Sequence, residues 1–355
     1  MRPILSNNYY VNFVADAYNK LNTYVAESKP SAIFILVDEN TNKNCLPILF
    51  QNLEFSENIE IIEIESGEEN KNLDTCTGVW NALTELGADR KSLMINLGGG
   101  VITDLGGFVA STFKRGISFI NIPTTLLSMV DASVGGKTGI DLGVLKNQIG
   151  LFSDPEMVLI DPMYLETITE RELLSGLAEI IKYGLTYDIK LWDEINSFNT
   201  LSINNISNLI HRSVEIKNEV VTEDPKEAGL RKILNYGHTL GHAIESYFLE
   251  SETKEKLTHG EAIAIGMITE AYLSGKLLNF PSKEVQFIKE KLLSIYPKAA
   301  ISSDDYPAIL ELLIHDKKNV GGQVNFVLLS GYEKFELDCK VGEQLLIEAL
   351  DFYTT

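Results

Sequence analysis

The chain has 355 residues, 45% of them hydrophobic, a length that suits two packed domains better than one core. Its formal net charge is −20 and its pI is near 4.7, a field that repels nucleic-acid backbones and anionic bilayers. Cys45, Cys76 and Cys339 are too few and too scattered for a disulfide framework or a zinc knuckle, and no run of about 18 apolar residues occurs, so a soluble cytoplasmic protein is predicted, with neither nucleic acid nor membrane as partner.

In chain order, SAIFILV and ENIEIIEI are short runs rich in Ile and Val bounded by polar turns, which predicts strands. Helical spacing from Asn70 to Gly87 ends in a glycine stop. SLMINLGGG and ISFINIPTT predict two further strands, separated by a helix over VITDLGGFVAST. Alternation of this kind implies a parallel, doubly wound sheet. Beyond Asp161-Pro162, long amphipathic patterns run from Glu170 to about Asn279, and a mainly α-helical half is expected. Near the end, QVNFVLLSGYEKFELD places two alternating runs around Ser330-Gly331, a hairpin signal. The domain boundary is set at residues 1–161 and 162–355.

Three groups of residues carry chemistry. Asn96-Leu97-Gly98-Gly99-Gly100-Val101-Ile102-Thr103-Asp104, followed by Gly106 and Gly107, leads from a strand into a helix. Backbone without side chains approaches a pyrophosphate closely at such a junction, and the helix supplies free N–H donors, although a plain tight turn gives the same glycines. Ser66 to Lys71 and Pro123-Thr124-Thr125 each follow another strand, and loops at strand C-terminal ends form the ligand crevice of such sheets. In LNYGHTLGHAIES, His238 and His242 share one helical face, while LTHGEAIAIG adds His259 and ELLSGLAEIIKYG places Glu179 and Lys182 on an apolar helix. Imidazoles with one carboxylate suit a catalytic zinc-type ion, and the HxxxH spacing alone leaves open whether both histidines ligate. Against the acidic background, Arg115, Lys137, Lys146, Lys182, Lys217, Arg231 and Lys317-Lys318 gather in glycine- and asparagine-rich motifs, and VGGKTG around Lys137 has the look of a phosphate cradle. It is not a Walker A loop, because Ala132 stands where its first glycine is needed.

Taken together, GGGVITDLGGFVAS, RGISFINIPTTLLSMVDASVGGKTGID, LKNQIG, SGLAEIIKYG, GLRKILNYGHTLGHAIE and HGEAIAIGM resemble the sugar phosphate cyclases, and within them the dehydroquinate synthases, from about Ser66 to Gly322. The resemblance implies a Rossmann-like α/β NAD-binding domain, then a mainly α-helical metal- and substrate-binding domain, with an active site in the cleft between them and a homodimeric assembly. It implies Glu179, His238 and His259 as ligands of one divalent metal, Zn or Co, with His242 a substrate contact. NAD is assigned to Glu68, Lys71, the loop Gly99, Gly100, Val101, Ile102, Thr103 and Asp104, then Thr124, Thr125 and the segment Leu165, Glu166 and Thr167, with Lys137 and Lys146 beside it. Substrate-binding or catalytic roles pass to Asp131, Lys137, Lys146, Asn147, Lys182, Lys217, Arg231, Asn235, His242 and one of Lys317 or Lys318, and Arg115 reaches a neighbouring subunit's phosphate. Many members have glycine where this chain has Leu145, and Asp141-Leu142-Gly143 replaces a more usual Asn-containing turn.

The implied reaction converts a phosphorylated seven-carbon sugar acid into a carbocycle with loss of phosphate, with NAD oxidising and then re-reducing the same substrate. Lys217, Arg231 and Asn235 together favour an acidic substrate over the carboxylate-free substrates of inosose and valiolone cyclases, because an Arg fork matches a carboxylate. A metal-dependent polyol dehydrogenase is the other reading, and a non-catalytic NAD-sensing scaffold the third.

Overall fold

The computed structural model describes residues 1–143, 145–197, 203–313 and 324–355. Two compact units emerge, Met1–Thr169 with Leu201–Thr222, and Glu170–Thr200 with Glu223–Thr355.

The first unit is built on a seven-stranded sheet. Its strands are β1 (Ile4–Ser6), β2 (Tyr9–Phe13), β3 (Ile33–Asp38), β4 (Ile59–Ile64), β5 (Leu93–Gly98), β6 (Ser118–Pro123) and, after the hairpin β7 (Lys137–Leu142) with β8 (Leu145–Phe152), β9 (Met157–Ile160). The spatial order is β1-β2-β9-β6-β5-β3-β4, and every pairing is parallel except β1 with β2. Chain order reverses between β3 and β5, and the crevice outside the strand ends at such a switch point is where open α/β sheets bind ligands. β5 and β9 are buried along their whole length, as strands covered on both faces must be, which explains their unbroken apolar runs. The helices Leu73–Glu85 and Gly100–Thr112 pack on the sheet through Val79, Leu83, Ile102, Leu105 and Val109, which join Phe34, Leu36 and Met94 in one cluster.

In the second unit the helix His259–Leu278 is buried on almost all sides, consistent with its nearly continuous apolar sequence. Around it lie Glu170–Thr186, His238–Glu250, Ser282–Ile295 and Glu343–Thr354, with the hairpin β10 (Phe326–Gly331) and β11 (Lys334–Cys339).

Several expectations shift. The division between units falls at Thr169 and Glu170 rather than at 161 and 162, and the helix Ile203–Glu223, expected in the helical half, groups with the sheet unit. Its contacts explain this: Asn218 Nδ2 donates to the Leu5 carbonyl at 2.9 Å, and the His211 and Phe13 rings lie 4.8 Å apart. Leu230–Asn235 is a 3₁₀ turn rather than α-helix. The C-terminal hairpin turns beyond Gly331, which still pairs with Lys334, and Glu333 takes the left-handed conformation at φ 59. Glu333 N–H donates to the Leu185 carbonyl at 3.1 Å and its carboxylate accepts from Ile189 N–H at 2.8 Å, so tertiary contacts fix the turn where local propensity would have put it at Ser330-Gly331.

Candidate active site

The second unit brings Glu179, His238 and His259 together, with one ligand atom from each within 4.8 Å of the others. Glycine makes this approach physically accessible. A Cβ on Gly260 would lie 2.3 Å from the Ser175 carbonyl oxygen, and one on Gly266 only 1.8 Å from that of Gly237. The three ligand-bearing helices therefore meet backbone to backbone, closer than any side chain permits. Glu179 stands one turn beyond Ser175 and faces the start of the His259 helix.

Both imidazoles sit at the first residue of a helix and are held there. Thr258 and Glu261 form a capping box around His259, and Arg171 grips Glu261 with two bonds of 2.8 Å. His238 follows Gly237, whose φ is 79 and which has no side chain to cap the helix. The fully buried Glu270 supplies the missing acceptor, taking the N–H groups of Gly237 at 2.6 Å and Thr239 at 3.2 Å.

Ring orientations follow from the acceptors. His238 Nδ1 faces the Tyr236 carbonyl at 3.1 Å and His259 Nδ1 faces the Glu245 carboxylate at 3.3 Å. Both partners only accept, so Nδ1 carries a proton in each ring and Nε2 is the atom left to ligate. The two Nε2 atoms converge on the same oxygen, Glu179 Oε1, at 3.3 and 3.4 Å, and Oε2 takes the Lys182 ammonium. Burial opposes a charge on Glu179, but Lys182 and His238 outweigh it and hold the carboxyl well below the ordinary carboxylate range. Burial likewise disfavours a cationic His259, yet Glu245 and Glu179 prevail and raise its pKa to about 9. Two imidazole nitrogens and one carboxylate oxygen, from the buried Glu179 and His238 and the half-buried His259, form a donor set that fits a divalent zinc-type ion with a position left for substrate. His242 lies beside them, its ring centroid 5.0 Å from that of His238 and 5.9 Å from that of His259.

Elsewhere in this unit Arg231 is 2% exposed, with its guanidinium donating to the Pro225 carbonyl at 3.0 Å and its backbone N–H held by Asp224 at 3.1 Å. Asn235 Nδ2 donates to Glu227 at 2.7 Å. Lys317 and Lys318 lie outside the described residues.

In the first unit the glycine cluster divides by role. Gly106 and Gly107 serve packing: a Cβ on the first would lie 2.1 Å from Asn96 Oδ1, and on the second 2.5 Å from Thr138. Gly99 and Gly100 meet nothing closer than 3.2 and 3.5 Å, and no side chain caps the helix that Gly99 opens. That is the stretch where bare backbone remains for a phosphate. Thr124 N–H bonds the Gly98 carbonyl at 3.0 Å, which aligns the two strand ends. Leu165 is buried, whereas Glu166 is exposed and Thr167 half-buried on the 3₁₀ turn Pro162–Thr167.

Lys71, 3% exposed, binds Asp104 at 2.7 Å and the Asn147 side-chain oxygen at 2.6 Å, with Glu68 at 3.8 Å and Lys146 pairing the same Glu68 at 3.3 Å. Burial opposes its charge, but Asp104, Glu68 and Asp141 hold the ammonium above the usual lysine range. Asn147 itself is left-handed at φ 53 and donates its N–H to Asp141 at 2.6 Å. The β7–β8 hairpin that carries Lys137 and Asn147 was not read from the sequence, and Gly143 at φ 59 lies between its two strands. Lys217 bonds Asp131 through both the carbonyl and, at 2.8 Å, the carboxylate, so these two residues meet within the unit. Arg115 is exposed on a kink where Lys114, Arg115 and Gly116 all have positive φ.

Two residues of this arrangement escaped sequence reasoning, Glu245 and Glu270. For Glu245 a signal existed, since it stands seven residues after His238 and three after His242 on the same helical face.

Comparison with known proteins shows the family of the chain. Family models described as the N-terminal and C-terminal parts of 3-dehydroquinate synthase match residues 61–175 and 176–319. A 3-dehydroquinate synthase of Parabacteroides distasonis is 41% identical over 340 residues, 95% of this chain and 96% of that protein. A solved 2-deoxy-scyllo-inosose synthase, complexed with carbaglucose-6-phosphate, NAD+ and Co2+, has TM-score 0.84 at 27% identity, covering 98% of both chains. The 2-epi-5-epi-valiolone synthase of Streptomyces hygroscopicus shares the fold, with TM-score 0.86 at 24% identity, 100% of this chain and 99% of its own. Sequence motifs, paired domains and relatives of nearly equal length converge, and the chain belongs to the 3-dehydroquinate synthase family.

Proposed function

We propose that the protein converts 3-deoxy-D-arabino-heptulosonate 7-phosphate to 3-dehydroquinate and inorganic phosphate, with NAD and one divalent cation, Zn or Co. The observation that carries this reading is the convergence of two Nε2 atoms and one buried carboxylate oxygen beside His242 and Lys182, on a chain that belongs to the 3-dehydroquinate synthase family. The inosose synthase complexed with NAD+ and Co2+ supports the same pair of cofactors here.

Glu179, His238 and His259 would hold the cation, and the loop Gly99 to Asp104, with Glu68, Lys71, Thr124, Thr125 and Leu165 to Thr167, the dinucleotide. The cation would supply Lewis acidity toward a substrate hydroxyl, and the dinucleotide a reversible acceptor for one hydride. The chain's own residues position and shield. Lys137, Asn147, Asn235 and His242 would hold the phosphate so that its own oxygen removes the neighbouring proton as it leaves. Lys71 fixes the Asn147 side chain for that task by binding its oxygen. Lys217, preset by Asp131, and Arg231 would receive the substrate carboxylate, with Lys317 or Lys318 as a further contact. Glu179 keeps its negative charge throughout the neutral range because Lys182 neutralises it. Arg115 on its exposed kink is assigned to the phosphate of a second copy, which makes the working form a homodimer. No helix among the described residues is long and apolar enough to cross a membrane, and we place the enzyme in the cytoplasm.

Purified protein supplied with the seven-carbon phosphate, NAD and Zn or Co is expected to release phosphate and a cyclic product with no net rise at the NADH absorbance band. Stoichiometric NADH would instead identify a polyol dehydrogenase. Turnover of glucose 6-phosphate in place of the acid would identify an inosose-type cyclase.

A further inference from the structure

We infer that Glu245 is a positioning residue of the metal centre, the carboxylate that fixes the tautomer and ring plane of His259, and this rests on the metal reading above. His238 and His259 present the same atom to Glu179 Oε1, but their outer nitrogens are held differently. For His238 the acceptor is the backbone carbonyl of Tyr236, which no side-chain substitution removes. For His259 it is the Glu245 carboxylate, 3.3 Å from Nδ1 and 6% exposed. A carboxylate behind an imidazole fixes which nitrogen ligates and raises its basicity. Glu245 arrives from the helix of His238 and His242, so one helix supplies a ligand of its own and orients the ligand of its neighbour. A second donor set, His242, Glu245 and His259, also lies within 4.8 Å. It shares His259, whose Nδ1 already faces Glu245 while Nε2 faces Glu179. One ring cannot give both nitrogens to ions and keep its proton on Nδ1, so the geometry points to one centre with Glu245 outside it.

The test compares wild type, Glu245→Ala, Glu245→Gln and Glu179→Gln for Co(II) and Zn(II) affinity by chelator competition, for the Co(II) absorption spectrum, and for melting of the metal-free protein. Loss of an outer partner of this kind weakens metal binding by roughly 10- to 100-fold, and that is expected for Glu245→Ala with the Co(II) band shape kept. Glu245→Gln, whose amide oxygen still accepts from Nδ1, is expected to fall between it and wild type with metal-free melting unchanged. If Glu245→Ala does not fold, Gln carries the test. Wild-type affinity in Glu245→Ala, or in the Gln variant where it stands alone, overturns the proposal. A Co(II) band altered as strongly as in Glu179→Gln also overturns it, by making Glu245 a direct ligand. Undiminished affinity in Glu179→Gln removes the underlying metal reading itself, a failure distinct from that of Glu245.

Discussion

Gly266→Ala tests the physical claim that the metal centre exists because backbones touch. The added Cβ would stand 1.8 Å from the Gly237 carbonyl oxygen, 2.7 Å from its carbon and 3.0 Å from the Gly241 nitrogen. All three are main-chain atoms, so no rotamer relieves the clash. Carbon and carbonyl oxygen come no closer than about 3.3 Å, so the two helices must part by roughly 1.5 Å at this crossing. His238 starts one helix and His259 the other, and Zn–N bonds tolerate only about 0.2 Å of error. Overpacking of this kind costs about 1–3 kcal/mol of stability, and a misplacement near 1 Å costs on the order of 100-fold in rate. The variant should therefore lose stability in denaturant melts, metal affinity in chelator competition and kcat/KM together. A stable variant with wild-type metal affinity would refute the claim that this glycine sets the ligand spacing.

Three further outcomes follow from the second unit. With its pKa raised to about 9 by Glu245 and Glu179, His259 is protonated in the metal-free protein at neutral pH, so a metal must displace a proton. Apparent affinity should climb about tenfold per pH unit towards pH 9 and then level, with about one proton released per ion in calorimetry across two buffers; a flat profile contradicts the assignment. By the same linkage the metal-free fold gains from this group below pH 6.5 and loses that gain as pH rises through about 9. Arg231→Ala should remove a charge-assisted pair worth about 1.5–3 kcal/mol and raise KM for the acidic substrate by roughly 10- to 150-fold, and unchanged kinetics would end the case for a carboxylate contact.

The first unit was legible because a parallel sheet buried on both faces writes itself as apolar runs, as in MINL and IFILV. Its chemistry-bearing hairpin was not. β7 and β8 carry Lys137, Asp141, Lys146 and Asn147, and since β7 is buried at four consecutive residues while β8 has none buried, neither shows the alternation that announces a strand. The C-terminal turn was displaced because Glu333 gains bonds to Leu185 and Ile189 that no local window contains. In the second unit, His238, His259 and Glu179 stand out by residue type and motif, whereas no local pattern marks Glu270, a polar residue in an apolar helix, as the cap of another helix.

By itself the sequence determined the alternation of strand and helix, the family, and the residue types suited to holding a metal, a nucleotide and an anion, since periodicity, glycine spacing and scarce histidines are local properties of the chain. Only tertiary structure decided that Ile203–Glu223 joins the sheet unit, that a Cβ on Gly106 or Gly107 would clash severely while one on Gly99 or Gly100 would meet nothing closer than 3.2 Å, and which nitrogen of each imidazole is turned to Glu179. Those choices depend on close approach between segments far apart in sequence, where excluded volume and a few buried acceptors outweigh any preference the segment has alone.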